Sequence, residues 1–249
     1  MTPAAPRAGR TAPTRISHVL VGTSGFSYPA WRGSFYPEDL SAREMLAYYA
    51  RQLGTVEINY TFQRLPTPAL LTGWARQTPP GFRFALKAPR HITHQLRLRD
   101  AGEPLQRFAQ LAGTLGQKLG PLLFQLPPYL RFDAERLEGF LAQLPPRLSV
   151  AFEFRDASWF RDDTYALLTH HRAALCVADS EALATPVVAT APFGYLRLRR
   201  ADYSAMDLDA WAAHVREARG WKRVYVYFKH EESGRGPALA RALLERLGA

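Results

Sequence analysis

Two glutamates, Glu57 and Glu153, one lysine, Lys87, and one aspartate, Asp179, each stand at or near the end of a short apolar run. Carboxylates so placed act as general bases or metal ligands, and a lysine ammonium holds an anion or steadies charge that develops in a transition state. These four are the candidate catalytic residues. Asn59, Gln125, Arg155, Arg197, Arg199, Tyr227 and Lys229 fall in the same positions of other runs and are candidate ligand-binding residues. So much cationic and amide hydrogen-bonding capacity in one place suits a phosphate-containing small molecule or nucleic acid.

The grouping follows from alternation. Side chains of a β-strand point to opposite faces with period two. Val56 and Ile58 then oppose Glu57 and Asn59; Phe82, Phe84 and Leu86 oppose Arg83, Ala85 and Lys87. Val150, Phe152 and Phe154 oppose Ala151, Glu153 and Arg155. Leu196 and Leu198 oppose Arg197 and Arg199, and Val224, Val226 and Phe228 oppose Tyr225, Tyr227 and Lys229. The apolar face must meet covering helices, so the other face points inward. The last inward positions are then expected to be Thr23, Asn59, Lys87, Gln125, Arg155, Asp179, Arg199 and Lys229, with Glu57, Glu153, Arg197 and Tyr227 one layer deeper. An unpaired buried charge costs several kcal/mol. Either these groups line an open, ligand-binding mouth, or they form an internal ion-pair layer, with Glu153 on Lys87 and Glu57 on Arg197.

Other features are looser. Gly234 and Gly236, before Pro237, can bring backbone amides close to a phosphate at a helix start, or can simply begin that helix. His94, with His91 in a basic loop beside Arg90, is a candidate ligand contact; a metal on the two histidines, or on Glu57, Glu153 and Asp179, is the lesser alternative and no residue is assigned as a metal ligand. The cofactor is unknown. Phe26, Tyr28, Trp31, Phe35, Tyr36 and Trp159 either stack on a base or sugar or form a packed cover. Ser24, in Thr-Ser-Gly, lacks the nucleophile-elbow pattern.

The elements that must position these residues alternate. Strands are expected at Val19–Thr23, Thr55–Asn59, Phe82–Lys87, Leu122–Leu126, Ser149–Arg155, Ala174–Asp179, Tyr195–Arg199 and Val224–Lys229. Helices are expected at Ser41–Leu53, Thr67–Gln77, Glu103–Gln117, Asp133–Leu144, Phe160–His170, Asp207–Arg219 and Pro237–Leu247, while Ser180–Thr190 reads as loop with one helical turn. Eight strands with intervening helices in 249 residues predict a single (β/α)8 TIM-type barrel, of typical size ~250, with its site at the C-terminal ends of the strands. An open doubly wound sheet is the alternative, but Val21-Gly22-Thr23-Ser24-Gly25-Phe26 lacks a dinucleotide fingerprint.

Hydrophobic residues make up 47% and charged residues 22%, which excludes a disordered chain. Residues 1–16 read as a disordered basic tail and residues 17–249 as the barrel domain. The formal net charge is +10, and Arg7, Arg10 and Arg15 lie in the tail, so the body carries +7. That balance favours an anionic partner, or reflects only an arginine-rich composition. A single cysteine, Cys176, in an apolar run fits a buried small hydrophobe and the reducing cytoplasm. No run of about 18 apolar residues spans a membrane, and the N-terminus lacks a secretion-signal core. Oligomeric state is not legible.

These segments also resemble a family. Val21 to Tyr28 with Trp31 and Phe35-Tyr36-Pro37, Thr55 to Asn59 with Thr61-Phe62, Phe82 to Lys87 with Ile92-Thr93-His94, Lys118 to Pro128, and Phe152 to Arg155 with Ser158-Trp159 are similar, in order, to motifs of the domain-of-unknown-function 72, or YecE-like, family. The resemblance covers about residues 19 to 247. It implies a TIM-type barrel and no particular reaction. The chain departs from the family pattern at Arg199-Arg200, where many members carry His-Gly, and at Lys229-His230, where many carry Asn; both replacements make the mouth more basic.

Three functions fit. The first is phosphoester chemistry, with Glu153 or Glu57 as base or metal ligand and Lys87, Arg155, Arg197, Arg199 and Lys229 on the phosphate; at the level of architecture alone it resembles barrel endonucleases of the apurinic-site type. The second is a non-catalytic module for nucleic acid or another anion. The third is a carbohydrate or small-metabolite enzyme using Glu57 and Glu153 as an acid–base pair.

Overall fold

A computed structural model describes residues 18–248. The expected tail of residues 1–16 lies outside them. Eight parallel strands close into a barrel in sequence order: β1 (His18–Ser24), β2 (Thr55–Ile58), β3 (Arg83–Lys87), β4 (Leu119–Gln125), β5 (Val150–Glu153), β6 (Ala174–Asp179), β7 (Phe193–Leu198) and β8 (Arg223–Phe228). The helices are α1 (Met45–Gln52), α2 (Tyr60–Gln63), α3 (Pro68–Arg76), α4 (Gly102–Gly113), α5 (Ala134–Leu141), α6 (Asp162–His170), α7 (Ala205–Glu217) and α8 (Arg235–Leu247). The (β/α)8 expectation holds with one irregularity: α2 and α3 both follow β2, and the β6–β7 connection has no α-helix.

Local chemistry sets the helix starts. Thr67 accepts from Leu70 N ahead of Pro68, and Asp133 accepts from Arg136 N, each satisfying an orphan donor of the first turn. Ser204 and Asp207 form a reciprocal capping box that opens α7. At Ser41 the expected capping pair forms with Glu44, yet α1 begins only at Met45.

Two apolar layers result. The outer layer joins Val56, Phe84, Leu122, Phe152, Val177, Leu196 and Val226 to the helices. The inner layer is Leu20, Ala85, Leu123, Ala151, Ala174, Cys176, Tyr195, Tyr225 and Tyr227. Small residues on β3, β5 and β6 leave room for the tyrosines of β7 and β8, a large-against-small fit that fills a barrel without strain. Gly22 is required for another reason. A Cβ there would lie 1.9 Å from the Thr55 carbonyl oxygen and 2.9 Å from the Tyr49 hydroxyl, which ties β1 to β2 by accepting from Thr23 N and donating to Thr55 O.

The aromatic residues divide. Trp31, Phe35, Tyr36 and Trp159 are buried, with Trp159 stacked on Phe154 at 4.5 Å and its indole N–H on the Leu130 carbonyl. They are cover, not platform. Phe26 and Tyr28, half-buried, instead line an apolar cleft of about 420 Å³ with Asn59, Leu70 and Trp74. Among the described residues no helix is long and apolar enough to cross a membrane.

Candidate functional site

Arg197 organises the upper barrel. Its side chain is 2% exposed and lies between the two glutamates: one terminal nitrogen donates to Glu57 Oε1 at 2.7 Å, the other to Glu153 Oε2 at 2.5 Å. Glu57 also accepts from the Ser24 hydroxyl and, at 2.7 Å, from the Tyr195 hydroxyl. Glu153 accepts from Gln125 Nε2 at 2.8 Å and Arg199 at 3.1 Å. Asn59 donates to Ser24 Oγ at 2.7 Å and closes the network. Five strands and the residue after each of β2 and β7 thus converge on two fully buried carboxylates.

Burial by itself raises both glutamates, but Arg197 and the surrounding donors outweigh it. Glu57 is held below the ordinary carboxylate range, and Glu153, with Arg199 as well, falls to about 2. A folded pKa near 2 against an ordinary 4.5 means the unfolded chain binds the proton first as pH drops. The stabilisation from Glu153 is therefore complete above pH 4.5 and disappears as pH falls toward 2; Glu57 acts in the same direction. Urea denaturation followed by near-ultraviolet circular dichroism should show stability falling across that window. Urea stability unchanged between pH 4.5 and 2 would mean these ion pairs contribute nothing.

Lys87 ends β3 with its side chain inside the barrel, opposite Leu123. Its Nζ lies 3.9 Å from the centre of the Phe62 ring, and among the described residues it makes no hydrogen bond and no ion pair. Burial, then repulsion from Arg197, lowers this lysine to about 8. His94 meets Phe62 edge-on at 5.0 Å and is itself lowered, by burial and then by Lys87, Arg90 and Arg155. Arg155 is exposed at the lip, and Arg199 is half-buried. A cavity of about 390 Å³ opens beside Arg155 and Arg199, lined also by Pro128, Glu153, Glu181 and Leu183. That volume suits a small ligand. A larger cleft of about 570 Å³ lies at the opposite, N-terminal end, beside Leu148, Phe193 and Tyr225, away from this charge cluster.

Several expectations need correction. Asp179 does not point inward. It pairs in register with Leu198 on the outer face, and its carboxylate binds Arg200 at 3.0 Å and the Trp211 indole at 3.2 Å. Ala178 takes the inward place opposite Arg197. The three-strand carboxylate cluster is therefore not assembled, and among the described residues no group of three or more His, Cys, Asp or Glu is arranged to hold a metal. Thr23 likewise faces outward, to Tyr49, and Ser24 is the inward residue. Tyr227 is sealed in the layer below, with its hydroxyl on Thr55 Oγ1 at 2.8 Å. Lys229 turns to solvent near Glu231. The side-chain directions at Gly234 and Gly236 are filled by Ser34 and by the His230 carbonyl, so both glycines serve close packing. The expected Glu153–Lys87 pair does not form, whereas Glu57–Arg197 does.

Ser24 and Tyr195 were not foreseen. The alternation Tyr195, Arg197, Arg199 contains Tyr195 on the inward face; Ser24 follows only if β1 runs one residue beyond Thr23.

A family model described as "Protein of unknown function DUF72" matches residues 20–249. The chain belongs to the DUF72 family. A DUF72 family protein from Thermotoga maritima MSB8 has a solved structure that superposes with a TM-score of 0.83 at 30% identity, covering 93% of this chain and 100% of that one. A second DUF72 structure, from Enterococcus faecalis V583, shares the fold with a TM-score of 0.76 at 18% identity over 93% of this chain and 96% of that one. Among curated relatives, the UPF0759 protein YecE of Escherichia coli K12 is 29% identical over 143 residues, 57% of this chain and 50% of YecE. The UPF0759 protein YunF of Bacillus subtilis 168 is 26% identical over 156 residues, 59% of this chain and 54% of YunF. The chain spans about half the length of these curated relatives. For this DUF72 member, then, fold and family are established, and function rests on the site.

Proposed function

We propose that the barrel mouth binds a small anionic ligand, and that a phosphate group is the anion best matched to it. One observation carries this reading: the local charge does not cancel. Glu57 and Glu153 are already matched by Arg197 and Arg199, and Lys87 and Arg155 remain without a carboxylate partner among the described residues. The Nε atoms of Arg197 and Arg199 are also buried without an acceptor among the described residues. A buried donor left unsatisfied costs about 1–3 kcal/mol, and a phosphate oxygen would offset that at Arg199, which lines the cavity.

Binding, rather than hydrolysis, is the reading these contacts support. Both glutamates are buried, and every oxygen already accepts from a neighbour. A carboxylate whose proton affinity is lowered by arginine contacts is a poor general base at neutral pH. The same directions keep both groups ionised and leave no proton donor of the pair that sugar chemistry needs.

Thermal unfolding of the full chain with inorganic phosphate, sugar phosphates and short oligonucleotides tests the reading. Phosphate at millimolar concentration should raise Tm, less so at high salt. Arg155→Gln should weaken binding about tenfold while leaving the unliganded Tm unchanged, since this side chain is exposed. No shift with any phosphate compound would end the proposal. A shift with oligonucleotides alone, steeply salt-dependent, would move the ligand to nucleic acid.

A further inference from the structure

We propose that Lys87 is an imine-forming lysine, condensing with the carbonyl group of an anionic aldehyde or ketone held in the barrel mouth. This rests on the anion-binding reading and narrows its ligand to a carbonyl compound bearing a phosphate or carboxylate.

The placement argues for it. Lys87 is the last residue of β3, at the end of the barrel where sites form. Its backbone is fixed by Thr61, whose hydroxyl donates to the Lys87 carbonyl at 2.6 Å. The residue is 9% exposed, and its side chain lies against the Phe62 ring with no counterion or hydrogen-bond acceptor among the described residues. Such surroundings penalise the ammonium and tolerate the neutral amine, the form with a lone pair to donate. Charged and titratable groups face it from every side: Glu57 on β2, Glu153 on β5, Arg197 and Arg199 at β7, and His94 after β3. The two arginines and burial favour loss of the proton, the two glutamates oppose it, and the balance leaves the lysine at about 8.

Composition sharpens the point. Of 32 basic residues only four are lysines, Lys87, Lys118, Lys222 and Lys229. An arginine cannot release its proton in a protein, so among cationic side chains only lysine can serve here. Lys118 spends its donors on the carbonyls of Ala75 and Thr78, Lys229 lies in solvent near Glu231, and Lys222 is on the surface.

The step balances without an added oxidant or reductant. The amine lone pair forms a C–N bond to the carbonyl carbon, and the C=O π pair moves onto oxygen. That oxygen then leaves as water with the two amine protons, and the nitrogen pair closes the C=N bond.

The full-length protein would be incubated with glyoxylate or dihydroxyacetone phosphate and cyanoborohydride, which adds hydride to the C=N bond and makes the link permanent. Peptide mass mapping then locates the adduct. Modification should fall on Lys87 in preference to Lys118, Lys222, Lys229 and the N-terminus by about tenfold. Inorganic phosphate should suppress it, and Lys87→Arg should abolish it. If that variant fails to fold, the wild-type map decides alone. Adducts spread over the other amines with Lys87 untouched would overturn the proposal. A phosphate-induced Tm shift with no Lys87 adduct overturns the imine and leaves anion binding standing. A Lys87 adduct with no phosphate shift supports the imine and removes the anion reading.

Discussion

Arg197→Met should cost about 3–5 kcal/mol of stability, a large fraction of the total for a domain of this kind. The residue is 2% exposed, and its removal strands Glu57, equally buried, without a cation and leaves Glu153 only Arg199. Each would then take up a proton or draw in water, and neither restores the bonds Arg197 makes. Tyr195 and Ser24 would be left donating to an unneutralised Glu57. Urea denaturation measures the loss. The triple variant with Glu57→Gln and Glu153→Gln as well should recover a large part of it, because removing a whole buried ionic group is often close to neutral. A loss under about 1 kcal/mol in the single variant would place the network in solvent, contrary to its burial.

Lys87→Met should do the reverse and stabilise the protein at pH 7, by roughly 1–3 kcal/mol. The sign follows from linkage. The folded-state value of about 8 lies below the ordinary 10.5, so between these the unfolded chain holds a proton that the folded chain has released. Wild-type stability therefore rises as pH climbs from 8 to 10.5, and the full cost of the buried ammonium is present below 8. The methionine variant should lack that rise and should have lost phosphate binding. Stability gained by deleting a residue, together with binding lost, is the pattern expected of a functional group held at a cost to the fold. Equal stability of both proteins at pH 7 would show the ammonium to be compensated.

Much of the site was legible from alternation. Glu57, Lys87, Gln125, Glu153 and Arg197 all sit on the inward face, as period two demands, and the outer Val, Phe and Leu residues meet the helices. The errors came at strand ends. In β1 and β6 the inward residues are Ser24 and Ala178, one position from Thr23 and Asp179, and a shift of one residue reverses every side chain's face. Both strands carry apolar or small residues on each face, Leu20 against Val21 and Cys176 against Val177, so alternation alone has nothing to distinguish.

The sequence by itself determined the barrel, its strand count, and the polar character of its upper interior, because burial against a continuous ring of helices writes a repeating apolar face into every strand. It did not determine who pairs with whom. Lys87 and Arg197 are both, as letters, inward-facing cations near the end of a strand. Only the closed barrel, which brings β2, β5 and β7 around one interior, placed Arg197 between two carboxylates and left Lys87 without one. Charge compensation acts through distance in space, which pattern along the chain does not encode.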